Sequence, residues 1–226
     1  MQAFPQDASG DDAQKSGYVA TLPSPLGLYN PPVSGAKSPE FDPKRLVASA
    51  AAVLRGIFLS PKDFYLNFAT EGSLREPALF VLLVSTVSGV LSILVNLISA
   101  AVLGTDTSAL GVVASNLAFV VLSPVLIGAA AGPYLLSVRT FVGPEGSFRG
   151  VYRMLAYAYG AMVLFWVPII NAFAFTYAAM VLMWLGIRYV YRTSFLTGLV
   201  AALVGFVPVA VAFIYLVVVI NGLVSR

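Results

Sequence analysis

The residues of this chain whose type and spacing could do chemistry are arginines. Arg139, Arg149 and Arg153 precede a charge-free run over 154–187, and Arg188 and Arg192 follow it. Both ends of that run therefore belong on the same side of an apolar layer. Together with Arg75, these six could make bidentate contacts to the phosphate of an anionic lipid headgroup, or to carboxylates on a cytosolic or membrane protein partner. The same residues also read as a solvated rim that fixes topology. Other chemistry is excluded by composition, because the chain has no Cys and no His. That removes thiol nucleophiles, Cys-His dyads, Ser-His-Asp triads and zinc sites built from those ligands. Asp63, Glu71, Glu76 and Glu145 lie near the arginines, but nothing in their spacing marks a paired-carboxylate or metal site. No catalytic residue and no cofactor is expected. No nucleic-acid motif accompanies the net charge of +3.

The elements that must position these arginines are membrane helices. The chain is 59% hydrophobic and 10% charged, whereas charged residues make up about a quarter of an ordinary soluble domain. Charge-free runs cover 77–105, 107–138, 154–187 and 194–225, and each exceeds the ~20 residues that span a bilayer. The third run is long enough for two short passes. The expected fold class is all-α, with five transmembrane helices over about 77–103, 109–138, 150–167, 171–189 and 195–221. Spans three and four are at the short end for a crossing, so a re-entrant hairpin is the alternative for them.

Ahead of the spans, residues 1–43 hold seven of the fourteen prolines and no apolar periodicity, which reads as a disordered tail. Residues 44–76 then carry one or two short amphipathic helices. Leu46, Val47, Ala50, Val53, Leu54, Ile57 and Phe58 fall on one helical face, suited either to the membrane interface or to the protein's own membrane domain. Helix starts are expected at Ser60-Pro61-Lys62-Asp63, at Ser73-Leu74-Arg75-Glu76, at Ser147 and at Asn171.

Inside the charge-free runs no acidic or basic side chain occurs, which argues against proton relays and ion-coupled transport. Ser85, Thr86, Ser88, Ser92, Asn96, Ser115, Asn116, Ser123 and Thr176 are expected to bond between helices. Gly128 and Gly132 form a GxxxG spacing for close helix packing, inside the monomer or between copies in an oligomer. Tyr152, Tyr157, Tyr159, Trp166, Trp184, Tyr189 and Tyr191 fit aromatic belts at span ends. With five spans, twelve of the thirteen basic residues fall on one side. The N-terminus is then cytoplasmic and the C-terminus external.

Several short blocks resemble a known family. Ser60-Pro61-Lys62-Asp63-Phe64 with Phe68, then Glu71-Gly72-Ser73 and Glu76-Pro77, resembles the segment leading into the first span of bacterial Yip-family proteins. Gly146-Ser147-Phe148-Arg149, Tyr152-Arg153 and Ala156-Tyr157-Ala158, with the Pro168 turn and Gly186-Ile187, is similar to that family's central block. The resemblance covers about 59–206 and implies five membrane helices with a cytosolic N-terminus. Eukaryotic relatives interact with Rab-type GTPases, a role not carried over to a chain whose alanine and valine richness suits a bacterial cytoplasmic membrane. The expectation is a non-enzymatic scaffold that organises membrane lipids or recruits a partner. The alternative is a passive channel or carrier for a small neutral or lipidic substrate, which a polar cavity crossing the bilayer would favour.

Overall fold

The computed structural model describes residues 37–104 and 108–224. Most of the expected tail, at 1–36, and the polar turn with Asp106 lie outside the described residues. Residues 37–42, read above as the end of that tail, instead pack on the protein. Ser38 and Phe41 are buried there. Asp42 accepts a 2.9 Å bond from the Lys44 backbone N–H and starts a 3-10 turn, Pro43–Arg45. The turn leads into α1, Leu46–Leu59, which buries Ala50, Val53 and Ile57 along the expected face. Leu46, Val47 and Phe58, expected on that same face, are exposed instead.

Helix α2, Pro61–Leu66, follows after one residue, and the Ser60 side chain makes no cap bond. Pro61 starts the helix with its fixed φ. Helix α3, Arg75–Leu103, and helix α4, Ala109–Phe141, form a long hairpin. Ser108 caps α4 by accepting from Gly111 N–H at 3.1 Å. Pro124 and Pro133 are accommodated within α4 as one continuous helix. Helix α5, Phe148–Ala158, is capped by Ser147 as expected, through a 3.0 Å bond from Gly150 N–H.

Among the described residues, four helical stretches are long and apolar enough to cross a membrane, not five. They are Arg75–Leu103, Ala109–Phe141, Ile170–Val190 and Phe195–Leu216. The expected third span, 150–167, is the one that fails. Its α-helix stops at Ala158 and continues as a 3-10 helix, Tyr159–Leu164. Every residue from Gly150 to Met162 is buried, so this segment is the core of the bundle and not a lipid-facing helix. At 1.5 Å per α residue and 2.0 Å per 3-10 residue it reaches about 28 Å.

The return stretch is also irregular. Helix α6, Ile170–Thr176, passes into a π-helical turn, Tyr177–Leu182, and then into α7, Met183–Val190. It starts one residue before the expected cap, Asn171, whose side chain accepts from the next N–H at 2.7 Å. Helix α8, Phe195–Val224, completes the bundle.

Candidate functional site

The elements bring five of the six arginines singled out above to one end. Helix α5 begins at that end, and α7 returns to it antiparallel. Gly186 of α7 abuts both Met154 of α5 and Tyr65 of α2, at 3.3 and 3.2 Å from where a Cβ would stand. Arg149 and Arg188 thus lie just beyond the same layer. Arg139, in the last turn of α4, donates from Nε to the Gly146 carbonyl at 3.1 Å, which holds the α4–α5 loop. The guanidinium of Arg188 lies 5.3 Å from the ring centres of Tyr189 and Phe195, a cation–π arrangement that orients it. Arg192 is exposed in the α7–α8 turn with φ of 51°. Arg75, at the start of α3, and Arg139 and Arg149 are exposed. No carboxylate pairs with Arg139, Arg149, Arg188 or Arg192 among the described residues.

Arg153 is different. It is 1% exposed, so its guanidinium faces the interior and not a partner in this conformation. Nε donates to the Ala69 carbonyl at 3.0 Å and Nη1 to the Ser73 carbonyl at 2.7 Å. Nη2 lies 3.0 Å from the Glu40 carboxylate, a charge contact without hydrogen-bond alignment. Gly72 permits this approach. Its φ is +125°, and a Cβ there would lie 2.9 Å from Nη1, so both the backbone and the space require glycine. Around this arginine the chain before α1 acts as a strap. Ser38 donates from its hydroxyl to the Phe64 carbonyl, the Phe41 N–H donates to Tyr157 Oη at 3.3 Å, and the Phe41 ring tilts against Phe80 at 5.7 Å. Glu40 and Phe41 were missed in the sequence because a proline-rich context hides two anchoring residues. The available signal was Asp42-Pro43, a helix-start pair standing directly after them.

Tyr65 lies behind the strap, fully buried, with no partner for its hydroxyl. Burial pushes its pKa well above the ordinary tyrosine value, with a smaller contribution from Tyr177, so it is a neutral wall residue at any physiological pH.

The polar residues inside the spans do not behave as expected. Thr86, Asn96, Ser115, Asn116 and Ser123 bond to carbonyls of their own helices. Ser85 alone of the expected set bonds across, to Tyr159 Oη at 2.9 Å. Further cross-links include two from residues not foreseen: Ser137 donates to the Ala201 carbonyl at 2.5 Å, and Tyr134 to the Ala179 carbonyl. Gly128 makes an ordinary 3.8 Å contact with Tyr152, and Gly132 has no atom within 4 Å of a Cβ position. The close approaches are at Gly160, Gly186 and Gly205 instead.

Two adjoining cavities open between these helices. One, of about 140 Å³, is lined by Ser85, Ser88, Ser92, Ser115 and Asn116 on α3 and α4. The other, of about 80 Å³, is almost wholly apolar, with Leu126, Ile127, Leu155 and Met162 in its wall. Phe119 and Phe213 belong to both. Among the described residues no cluster of three or more His, Cys, Asp or Glu could hold a metal.

A family model described as the Yip1 domain matches residues 55–220. The match starts inside α1, ends in α8 and is wider than the blocks that carry the sequence resemblance. No curated protein and no solved structure matches the chain.

Proposed function

Since the chain belongs to the Yip1 domain family, a non-enzymatic family of membrane proteins, we propose that this integral membrane protein organises membrane or recruits a partner through its arginine end, without catalysing a reaction. The observation that carries the reading is the gathering of exposed, carboxylate-free arginines at one end of the bundle: Arg139, Arg149 and Arg192, with Arg75 nearby and Arg188 oriented by two rings. Guanidinium groups in that state match phosphate or carboxylate acceptors. Arg153, locked inside, holds the platform together and is not part of the contact surface.

The arginine end faces the cytoplasm of a bacterial cell in this reading, by the bias of basic residues toward that side. Helix α8 starts beside Arg188 and runs away from it, and in this reading its far end lies toward the opposite face. Copies associate, where they do, through the open face at Gly132 and neighbouring Gly128.

The test uses the full chain in lipid nanodiscs with a photocrosslinker near Arg149, and identifies captured species by mass spectrometry. Charge reversal at Arg149 and Arg192 together is expected to lower capture of a protein partner or of anionic lipid at least threefold, with the thermal midpoint unchanged. Undiminished capture overturns the reading.

The passive carrier is the second reading, and the hydroxyl-lined cleft favours it. The aromatic cluster of Phe41, Phe64, Phe68, Phe80 and Tyr157 weighs against it, because these rings pack across the arginine end within 6.1 Å of one another. Flux of a small neutral solute through proteoliposomes above the protein-free rate would support the carrier.

A further inference from the structure

Ser88 breaks a local rule. A hydroxyl on an apolar helix ordinarily turns back to a carbonyl three or four residues earlier, and its neighbours do so. Thr86 reaches Leu82 at 2.7 Å, Ser115 reaches Val112 at 3.1 Å, and Ser123 reaches Val120 at 2.8 Å. Ser88 is 6% exposed, its Oγ is buried, and no hydrogen-bond partner meets it among the described residues. It lines the 140 Å³ cleft between α3, α4 and α8. Leaving such a group unpaired in a folded protein is unfavourable, so the cleft is suited to a ligand that supplies an acceptor.

Across the cleft, Asn116 donates its amide to the Val112 carbonyl at 2.9 Å. Its Oδ1 is thereby turned toward α3, and lies 4.0 Å from where a Cβ on Gly89 would stand. A hydroxyl donor and a carbonyl acceptor thus both belong to residues that line this cleft. It offers no charge: no Asp, Glu, Lys, Arg or His occurs over 77–105, 107–138, 154–187 or 194–224. An ionised headgroup would meet no counter-charge in this apolar surround.

The cleft, of about 140 Å³, has room for a small uncharged polar head. Beyond it lie the apolar chamber, past Phe119 and Phe213, and a groove of about 180 Å³ between Pro133 and Pro208, past Phe213 and Leu216. We infer that this cleft binds a neutral lipid with a hydroxyl and an ester carbonyl at its head, a monoacyl or diacyl glyceride. The head lies between Ser88 and Asn116, and the chain runs past Phe213. The exposed apolar faces of α3, α4 and α8 around the cleft, at Val90, Leu117 and Val211, let the ligand enter from the bilayer.

The test uses the full-length protein in phosphatidylcholine nanodiscs. It compares a monoacylglycerol bearing a diazirine in its chain with a phosphatidylglycerol bearing the same chain. The neutral probe is expected to label peptides of α4 and α8 around Phe119 and Phe213, and unlabelled monoacylglycerol is expected to compete. Ser88→Ala should lower that labelling at least fivefold. Thr86→Ala, whose hydroxyl is already satisfied by the Leu82 carbonyl of its own helix and which lines neither cavity, should leave it unchanged. Both variants should keep the wild-type thermal midpoint. Equal labelling by the anionic probe, uncompeted labelling spread over outer positions such as Leu94 and Val218, or a Ser88→Ala variant that labels normally would each overturn the inference. The arginine-end reading is separate from this one, since charge reversal at Arg149 and Arg192 should leave glyceride labelling intact.

Discussion

The half of the bundle near the arginines and the half away from them are made of equally apolar sequence, yet only the first has a packed interior. On α3 the buried residues end at Gly89, on α4 they begin at Ser123, and on α8 the fully buried Ala201 and Ala202 sit near its start. Beyond those points the same helices present Leu94, Ile98, Leu110, Leu117, Ile214 and Val218 outward. What differs is the supply of neighbours. The near half is filled by α1, α2 and α5, whose rings and small residues interdigitate with the long helices. The far half has α3, α4 and α8 with the turn at Phe165 and the short helix α6 beside them. In a bilayer such exposed side chains meet lipid tails and carry no penalty, so hydropathy there marks the membrane and not the core.

The largest effect expected from breaking this contrast is at Arg153. Removing one member of a buried charge contact costs about 3–5 kcal/mol. Glu40 is 44% exposed and can rehydrate, which places Arg153→Ala near the lower end, at about 3 kcal/mol. The Ala69 and Ser73 carbonyls lose their donor in the same step. Thermal unfolding in detergent should show the loss, and Arg153→Met, which keeps the stem, should recover only part of it. A variant as stable as wild type would mean that the strap and α5 are held by their aromatic contacts alone.

Much of this contrast was hidden in the sequence for physical reasons. Charge-free runs gave the long helices α3, α4 and α8 to within a few residues, because a membrane span needs only length and apolarity. The family resemblance, carried by blocks such as Gly146-Ser147-Phe148-Arg149, holds over 55–220. The expected third span failed because the segment around Tyr157 and Tyr159 carries the tyrosines of an aromatic belt, and composition cannot tell a belt from a core. Both rings are buried, Tyr157 against Phe80 and Tyr159 on Ser85. Arginine was legible as a type but not as a position: Arg149 and Arg153 are one helical turn apart, one exposed and one sealed. Only knowing that residues 69–73 and Glu40 fold over the second could separate them. The cleft at Ser88 was legible as a run of hydroxyls, while the missing back-bond needed coordinates.

The packed core and the open helix face should also answer differently to a single methyl group. A Cβ at Gly160 would lie 2.7 Å from Ile57, 3.1 Å from Phe80 and 3.2 Å from Leu54. Overpacking of this kind costs about 1–3 kcal/mol, and Gly160→Ala should lower the thermal midpoint accordingly. Gly132→Ala meets no atom within 4 Å, and alanine is the better helix former by ~1 kcal/mol. It should leave stability unchanged or slightly raised. Equal losses at the two positions would show that Gly132 is covered in the membrane, as it would be at a contact between copies.

The smallest expected effect lies in the far half, at Ile169. Its φ of 72° and ψ of −42° approach the strained γ-turn, a region that a β-branched side chain rarely occupies. The side chain is 81% exposed, so no packing would be lost by removing it. Strain of this kind is of order 1–3 kcal/mol, and glycine forfeits roughly 0.5–1 kcal/mol of it through the freer unfolded chain. Ile169→Gly should therefore stabilise the protein by about 1 kcal/mol, read as a raised thermal midpoint. Ile170→Gly, one residue later and inside α6, relieves no strain and should lower stability by about 1 kcal/mol. Opposite signs at adjacent isoleucines would place the strain in the backbone of the turn. Equal signs would mean that both side chains hold the turn by packing, and that the far half is more tightly built than its exposure implies.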